Sequence, residues 1–328
     1  MDDPRTLLDP EIADWIDLAP APDIDYSDIA AVRAMSAAYM AETGGPGPRF
    51  TRDDVVLTAD EITTDAGAIP VLVWAPRVTV EPPPVTIALH GGAFVVGNAL
   101  GAERLAVPLA CDYGVVTVSI EYSLAPEFPA PAAADETWGV IRSLVDRPVI
   151  AGRALDTTRI AVHGSSAGAC LAAGAALRCR DEGVRLALQS LSCPALDPRA
   201  CVDPAEGHSM RGWSPTWTRA ATAAMWDHYL SGDPRRVTPY AVPGAFEDLG
   251  GVASAHILLA QYDVLRDEGF SYARRLAQAG VDVSVDAPAG TVHGFEGLLP
   301  DSAVARRALQ RQAEALAAAL GAPPSRCP

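Results

Sequence analysis

Ser166 stands in the stretch I-A-V-H-G-S-S-A-G, Ile160 to Gly168, where a β-favouring run meets a glycine, a serine two places on and a second glycine two places later. This G-x-S-x-G spacing suits a sharp strand-to-helix turn. Its glycines let two chain segments approach closely, and the strained turn lifts the serine hydroxyl clear of the sheet. A serine hydroxyl is a poor nucleophile until a base takes its proton, and an imidazole serving as that base needs a carboxylate to fix its tautomer. About one chain in ten of this length carries the pattern by chance, so the serine needs partners. Where such a turn holds a nucleophile, they follow in the order acid, then histidine, each just beyond a strand.

Four histidines follow Ser166. His208 and His228 fall in a stretch without strand signals, and His256 opens a strand, where a structural role is expected. His293 lies in G-T-V-H-G-F, a polar, glycine-flanked loop past a strand that ends at Asp286, which is where a base belongs. Its acid is Asp263, in I-L-L-A-Q-Y-D-V-L-R-D-E-G, just beyond another strand. Asp267 and Glu268 read instead as first-turn residues of the next helix, favouring its dipole. Acyl transfer also needs donors for the negative oxygen of a tetrahedral intermediate. His90-Gly91-Gly92-Ala93 follows a strand ending at Leu89; the N–H groups of Gly91 and Gly92, with that of Ala167 after the serine, could supply them, each typically worth about 3 kcal/mol.

These groups require a scaffold of strands delivering loops to one edge. The first 48 residues read as amphipathic helices, with Ile12, Trp15, Ile16 and Leu18 in one piece and Ile29, Val32, Met35 and Tyr39 in the next, ending at the breaker T-G-G-P-G-P. Strands are then expected at Val55 to Leu57, Ile69 to Trp74, Val85 to Leu89, Val115 to Ile120, Ile160 to His163, Arg185 to Leu191, His256 to Ala260 and Val281 to Asp286. Helices are expected at Ala102 to Cys111, Ala132 to Val145, Ser166 to Cys179, Asp267 to Gln278 and Ala303 to Leu320. Short apolar runs alternating with helices predict a mostly parallel sheet covered on both faces, with its ligand site beyond the carboxyl ends of the strands. Residues 197–240 carry no strand signal but hold Met210, Trp213, Trp217, Met225, Trp226, Tyr229 and Leu230. Inserted between two strands, they are expected to form a lid. The domain plan is N-terminal cap helices at 1–48, core at 49–196, an inserted cap at 197–240 and core again at 241–328.

The chain has 328 residues, 49% of them hydrophobic, and a formal charge of -16. All 25 basic residues are arginine. An acidic chain is a poor partner for nucleic acid, and without lysine neither a Schiff base nor a P-loop is possible. No apolar run reaches membrane-spanning length, and the acidic stretch M-D-D-P-R-T-L-L-D-P has no charged-then-apolar leader pattern. The six cysteines are scattered without metal-ligand spacing. A cytoplasmic protein with no metal, no cofactor and no membrane insertion is expected.

Taken together, H-G-G-A-F, G-S-S-A-G, Y-S-L-A-P-E-F-P-A-P (Tyr122 to Pro131), M-W-D-H-Y-L (Met225 to Leu230) and the paired Y-D-V-L-R-D-E-G and V-H-G-F resemble the hormone-sensitive-lipase-like esterases, the family IV bacterial esterases. The resemblance covers about residues 50 to 320. It implies an α/β-hydrolase fold with an eight-stranded sheet and a helical cap. It also implies a serine esterase without cofactors, acting on small-molecule esters of short to medium acyl chain through a Ser166–His293–Asp263 triad. Phe94, Ser165, Met210, Trp213 and Trp217 become candidate substrate contacts, and dimers through a sheet edge are common in the family. The family more often has Asp where Ser165 stands, a second glycine at Ala169, arginine at Ser123 and histidine at Phe128, which leaves the subgroup open. The same scaffold also serves acyltransferases, metabolite deacetylases and dehydratases. Hormone receptors of similar fold lack the catalytic histidine, and His293 argues against that class.

Overall fold

The computed structural model describes residues 4–18, 24–42, 50–65, 67–79, 81–201 and 214–324. Eight strands form one sheet: β1 (Val55–Thr64), β2 (Gly67–Pro76), β3 (Val85–Leu89), β4 (Val116–Ile120), β7 (Ile160–Ser165), β8 (Gln189–Ser192), β9 (Ala255–Leu258) and β10 (Val283–Asp286). A small hairpin, β5 (Val149–Ile150) with β6 (Arg153–Ala154), stands apart and was not anticipated. The spatial order is β1-β2-β4-β3-β7-β8-β9-β10. β1, β2 and β4 pair antiparallel, and every pair from β4 to β10 is parallel. β3 and β4 are buried along their whole length, in keeping with sequences that hold only apolar residues and small hydroxyl residues.

Crossover helices cover both faces. α3 (Glu103–Tyr113) and α9 (Ala303–Ala319) pack Leu105, Leu109 and Leu316 against Ala161 and Leu188 of one face. α4 (Ala132–Asp146), α5 (Ala167–Asp181) and α7 (Arg266–Gln278) cover the other, joined there by α6 (Arg219–Leu230) from the segment after β8. α5 is made largely of Ala and Gly, and twelve of its residues are buried, so small side chains let it lie close beneath the sheet. The N-terminal helices are α1 (Pro10–Leu18) and α2 (Ile29–Glu42). Ile12 and Val32 are buried on them, whereas Leu18, placed by its periodicity on the apolar stripe, is 86% exposed at the helix end.

Several strand and helix boundaries moved, among them β1, which runs on to Thr64, and β10, which begins at Val283 rather than Val281; two have a visible cause. β8 begins at Gln189 rather than Arg185, because pairing starts where Gln189 meets Val162; Leu186 and Leu188 are buried as loop residues instead. α5 begins at Ala167, because Ser166 has φ 53° and cannot be helical.

The face beneath α3 and α9 is not wholly apolar. Strand register sets Ser119, Ala88, His163, Ser190 and His256 side by side across β4, β3, β7, β8 and β9. A His163 ring nitrogen lies 3.1 Å from Ser190 Oγ. Burial pushes His163 down to about 4, with His256 adding to the effect and Ser190 opposing it. A histidine whose folded pKa is depressed stabilises the fold above its unfolded value of 6.5, and that stability is lost as pH falls toward 4. At pH 5 the loss from this one group is on the order of 2 kcal/mol. Urea titration should therefore give a lower midpoint at pH 5 than at pH 7.5, with a smaller difference in His163→Gln; an equal difference in the two proteins contradicts this assignment.

Candidate active site

The elbow follows from crowding at the end of β7. A side chain on Gly168 would run into the carbonyl oxygens of Leu89 and His90 at the end of β3, so no larger residue fits there. Ser166 is held at φ 53°, ψ −116°, a conformation that costs a non-glycine residue on the order of 1–3 kcal/mol and persists only where its surroundings impose it. They do so here: Ser166 N–H donates to the Ser192 carbonyl at 2.8 Å, and its own carbonyl accepts from Ala169 N–H at 3.0 Å. The hydroxyl is thereby presented at the N-terminus of α5, beyond the sheet.

The base and acid arrive on the two neighbouring loops. Ser166 Oγ lies 3.0 Å from His293 Nε2, and His293 Nδ1 lies 2.7 Å from Asp263 Oδ2. Asp263 is fully buried, and its other oxygen, Oδ1, accepts the Leu265 N–H at 2.9 Å. Both carboxylate oxygens are thus committed, which fixes the imidazole ring and its tautomer. Burial pulls the His293 imidazolium down, but the charge and hydrogen bond of Asp263, with Glu296 adding, outweigh it and hold His293 above 6.5. Three sequence-assigned groups, far apart in the chain, are therefore in one hydrogen-bonded line.

Cys193 also approaches the pair; its sulfur and the nearest ring and carboxylate atoms of His293 and Asp263 lie within 4.8 Å of one another. Burial drives that thiol well above its ordinary value, so it stays protonated beside the triad.

Gly91 and Gly92 lie opposite the serine. A Cβ built on Gly91 would be 3.5 Å from Ser166 Cβ, and Gly92 has φ +128°, open only to glycine. No described residue accepts the N–H of Gly91, Gly92 or Ala167. Three donors with no described acceptor, one on the residue after the serine and two on the loop that Gly91 brings against it, are of the kind that can stabilise a developing oxyanion. The loop is braced from behind: Tyr122 OH donates to the His90 carbonyl at 2.8 Å and its ring stacks on His90 at 4.1 Å.

Of the proposed substrate contacts, Met210 and Trp213 lie outside the described residues, as does His208. Trp217 stacks against the His293 ring at 5.5 Å, with Tyr26 edge-on to it at 4.7 Å. Thr216 Oγ1 donates to the His293 carbonyl at 3.1 Å. His228 does not reach the serine; its ring nitrogen pairs with the Tyr26 carbonyl at 2.9 Å. Phe94 is 1% exposed and stacks on Tyr229 of α6 at 3.8 Å, so in this structure it anchors the glycine loop to that helix. Arg33 of α2 fastens the same loop, donating to the carbonyls of Val95 at 3.1 Å and Ala125 at 3.0 Å while pairing with Glu127.

Ser165 points away from these rings, its hydroxyl 3.3 Å from Glu296 Oε1. Sequence reasoning passed over Glu296, although its place three residues after the base was a usable signal. Glu268 stands in the first turn of α7, as expected, but a second role was not legible there. It is buried, and its carboxylate accepts the N–H groups of Leu196 at 3.3 Å and Asp197 at 3.1 Å, fixing the chain where it leaves β8. Asp267 does pair at the helix start, with Arg266 at 2.9 Å.

The alpha/beta hydrolase fold family matches residues 86–297 of this chain. Esterase LipI of Mycobacterium tuberculosis (strain ATCC 25618 / H37Rv) is 35% identical over 218 residues, 65% of this chain and 66% of its own length. Carboxylesterase NlhH of the same strain is 32% identical over 231 residues, 69% of this chain and 71% of its own. The solved structure of a bacterial heroin esterase superposes with a TM-score of 0.85 at 32% identity, covering 97% of this chain and 99% of that one.

Proposed function

The chain belongs to the α/β-hydrolase superfamily and, within it, to the hormone-sensitive-lipase-like esterases, and on that premise we propose that it is a serine carboxylesterase. The observation that carries this reading is the buried line from Ser166 through His293 to Asp263, at 3.0 and 2.7 Å, together with the N–H groups of Gly91, Gly92 and Ala167, which have no acceptor among the described residues. Ser166 attacks the ester carbonyl as His293 Nε2 takes its proton. The carbonyl oxygen becomes an oxyanion held by the N–H groups of Gly91, Gly92 and Ala167. His293 then returns the proton to the departing alcohol, leaving Ser166 acylated. Water, deprotonated by the same imidazole, repeats the attack and frees the acid.

The substrate is a small ester of short or medium acyl chain. Residues 1–48 and 197–240 act as the cap that limits it. The packing of Trp217 on His293, of Tyr26 on Trp217 and of Phe94 against Tyr229 supports a roofed site rather than an open lipid-binding face. Among the described residues no helix is long and apolar enough to cross a membrane.

A series of p-nitrophenyl esters tests this reading. kcat/KM should be highest for acetate to hexanoate esters and collapse for palmitate. Because the base must be unprotonated and His293 is held above 6.5, kcat/KM should fall on acidification with a midpoint above 6.5. A long-chain preference overturns the substrate class, and a flat profile from pH 5 to 8 overturns His293 as base.

A further inference from the structure

A second carboxylate stands beside the triad. Glu296 is the second residue of α8 (Phe295–Leu298), the single turn that begins two residues after His293. It is only 7% exposed. Its Oε1 accepts hydrogen bonds from Ser192 Oγ and, at 3.3 Å, from Ser165 Oγ. These two serines hold the nucleophile: Ser165 precedes it, and the Ser192 carbonyl accepts the Ser166 N–H. One carboxylate therefore joins the base loop, the elbow strand and the end of β8.

The other oxygen, Oε2, is buried and has no partner among the described residues. It borders a chamber of about 400 Å³ between the sheet and helices α3 and α9, lined also by His90, Ser165, Ser192 and Gln312. His90 Nε2 and Gln312 Nε2 are buried there without partners as well. A chamber of that size with three polar atoms to satisfy suits bound water, which would hydrogen-bond the second carboxylate oxygen.

The groups facing His293 are Asp263 from the loop after β9, Cys193 from the end of β8, Ser166 from the elbow, Trp217 from the segment after β8 and Glu296 from α8. Glu268 lies behind Asp263. Cys193 is a protonated thiol, so Asp263 and Glu296 supply the charge felt by the imidazole. We propose that Glu296 is a positioning residue for His293: through Ser165 and Ser192 its carboxylate ties the base loop to the nucleophile, and its charge joins that of Asp263 in stabilising the imidazolium.

This inference rests on the reading of His293 as the base. It separates two functions of one side chain, and two variants separate them by experiment. In Glu296→Gln the amide oxygen still accepts both hydroxyl hydrogen bonds, but the charge is gone. The acidic limb of kcat/KM should move to lower pH by about 0.5 to 1 unit, with most of the plateau activity kept. In Glu296→Ala the tie is lost too. Plateau kcat should fall about ten- to a hundredfold, the size of effect a small misplacement of reacting groups produces, with KM changed less than about twofold. Thermal melts of both variants establish that they fold; should the alanine variant not fold, the glutamine variant decides alone. An acidic limb in Glu296→Gln that coincides with the wild-type limb overturns the proposal, as does an undiminished plateau kcat in folded Glu296→Ala. A wild-type protein with no acidic limb at all is a different result, and it overturns the base assignment itself.

Discussion

Ser166→Ala is expected to reduce ester hydrolysis by about six orders of magnitude in kcat, the effect of removing a nucleophile that acts as a unit with its base. Among the described residues, none replaces it. Ser165 Oγ is turned to Glu296, Ser192 Oγ is committed to the same carboxylate, and Cys193, whose sulfur lies within 4.8 Å of His293 and Asp263, is a buried thiol held protonated. The fold should survive, because Ser166 is positioned by its backbone N–H and carbonyl, which alanine keeps. Intact circular dichroism with residual turnover near the uncatalysed rate is the predicted pair of readings. Turnover within a hundredfold of wild type in the folded variant contradicts the assignment.

The second large effect is expected from Asp263→Asn. The Leu265 N–H donates to Oδ1 at 2.9 Å, and His293 Nδ1 faces Oδ2 at 2.7 Å. An asparagine at this position satisfies Leu265 by placing its amide oxygen there, which turns its NH2 toward His293. Nδ1 must then accept, the ring proton moves to Nε2, and Nε2 presents a hydrogen to Ser166 Oγ instead of a lone pair. A base in the wrong tautomer costs about 10⁴ in kcat. The charge that holds His293 above its ordinary value is lost as well, so the acidic limb should move to lower pH while the plateau drops. A loss below about tenfold would mean that Asp263 does not orient the ring.

Much of the site was legible because its chemistry is written in short local patterns. G-S-S-A-G demands a crowded turn, and Gly168 against the β3 carbonyls shows why. H-G-G after a buried strand marks a loop with open N–H groups, and Asp263 and His293 each stand just past a strand end. The eight strands and their flanking helices were legible from apolar runs of the right length.

What the sequence hid depends on convergence between distant elements. Glu268 occupies a helix first turn, where acids are ordinarily solvated; burial beneath the chain leaving β8 could be seen only once α7 was placed against that chain. Glu296 meets Ser165 and Ser192 only because β7, β8 and α8 end at the same point. The stacking of Phe94 on Tyr229, far along the chain, was likewise invisible until α6 was in place. Ser123 fits the same lesson: where the family more often has arginine, its hydroxyl and N–H are both bound by Glu136, at 2.5 and 2.7 Å.

The central claim is that Ser166, activated by His293, forms the covalent intermediate. Mass spectrometry after treatment with a p-nitrophenyl phosphonate ester tests it most directly, because attack on phosphorus releases p-nitrophenol and leaves a stable phosphonyl-enzyme. A single adduct per chain is expected, mapped to Ser166, gained in step with the loss of esterase activity and slowed as His293 is protonated. Complete inactivation with Ser166 unmodified, or with the adduct on another residue, would contradict it.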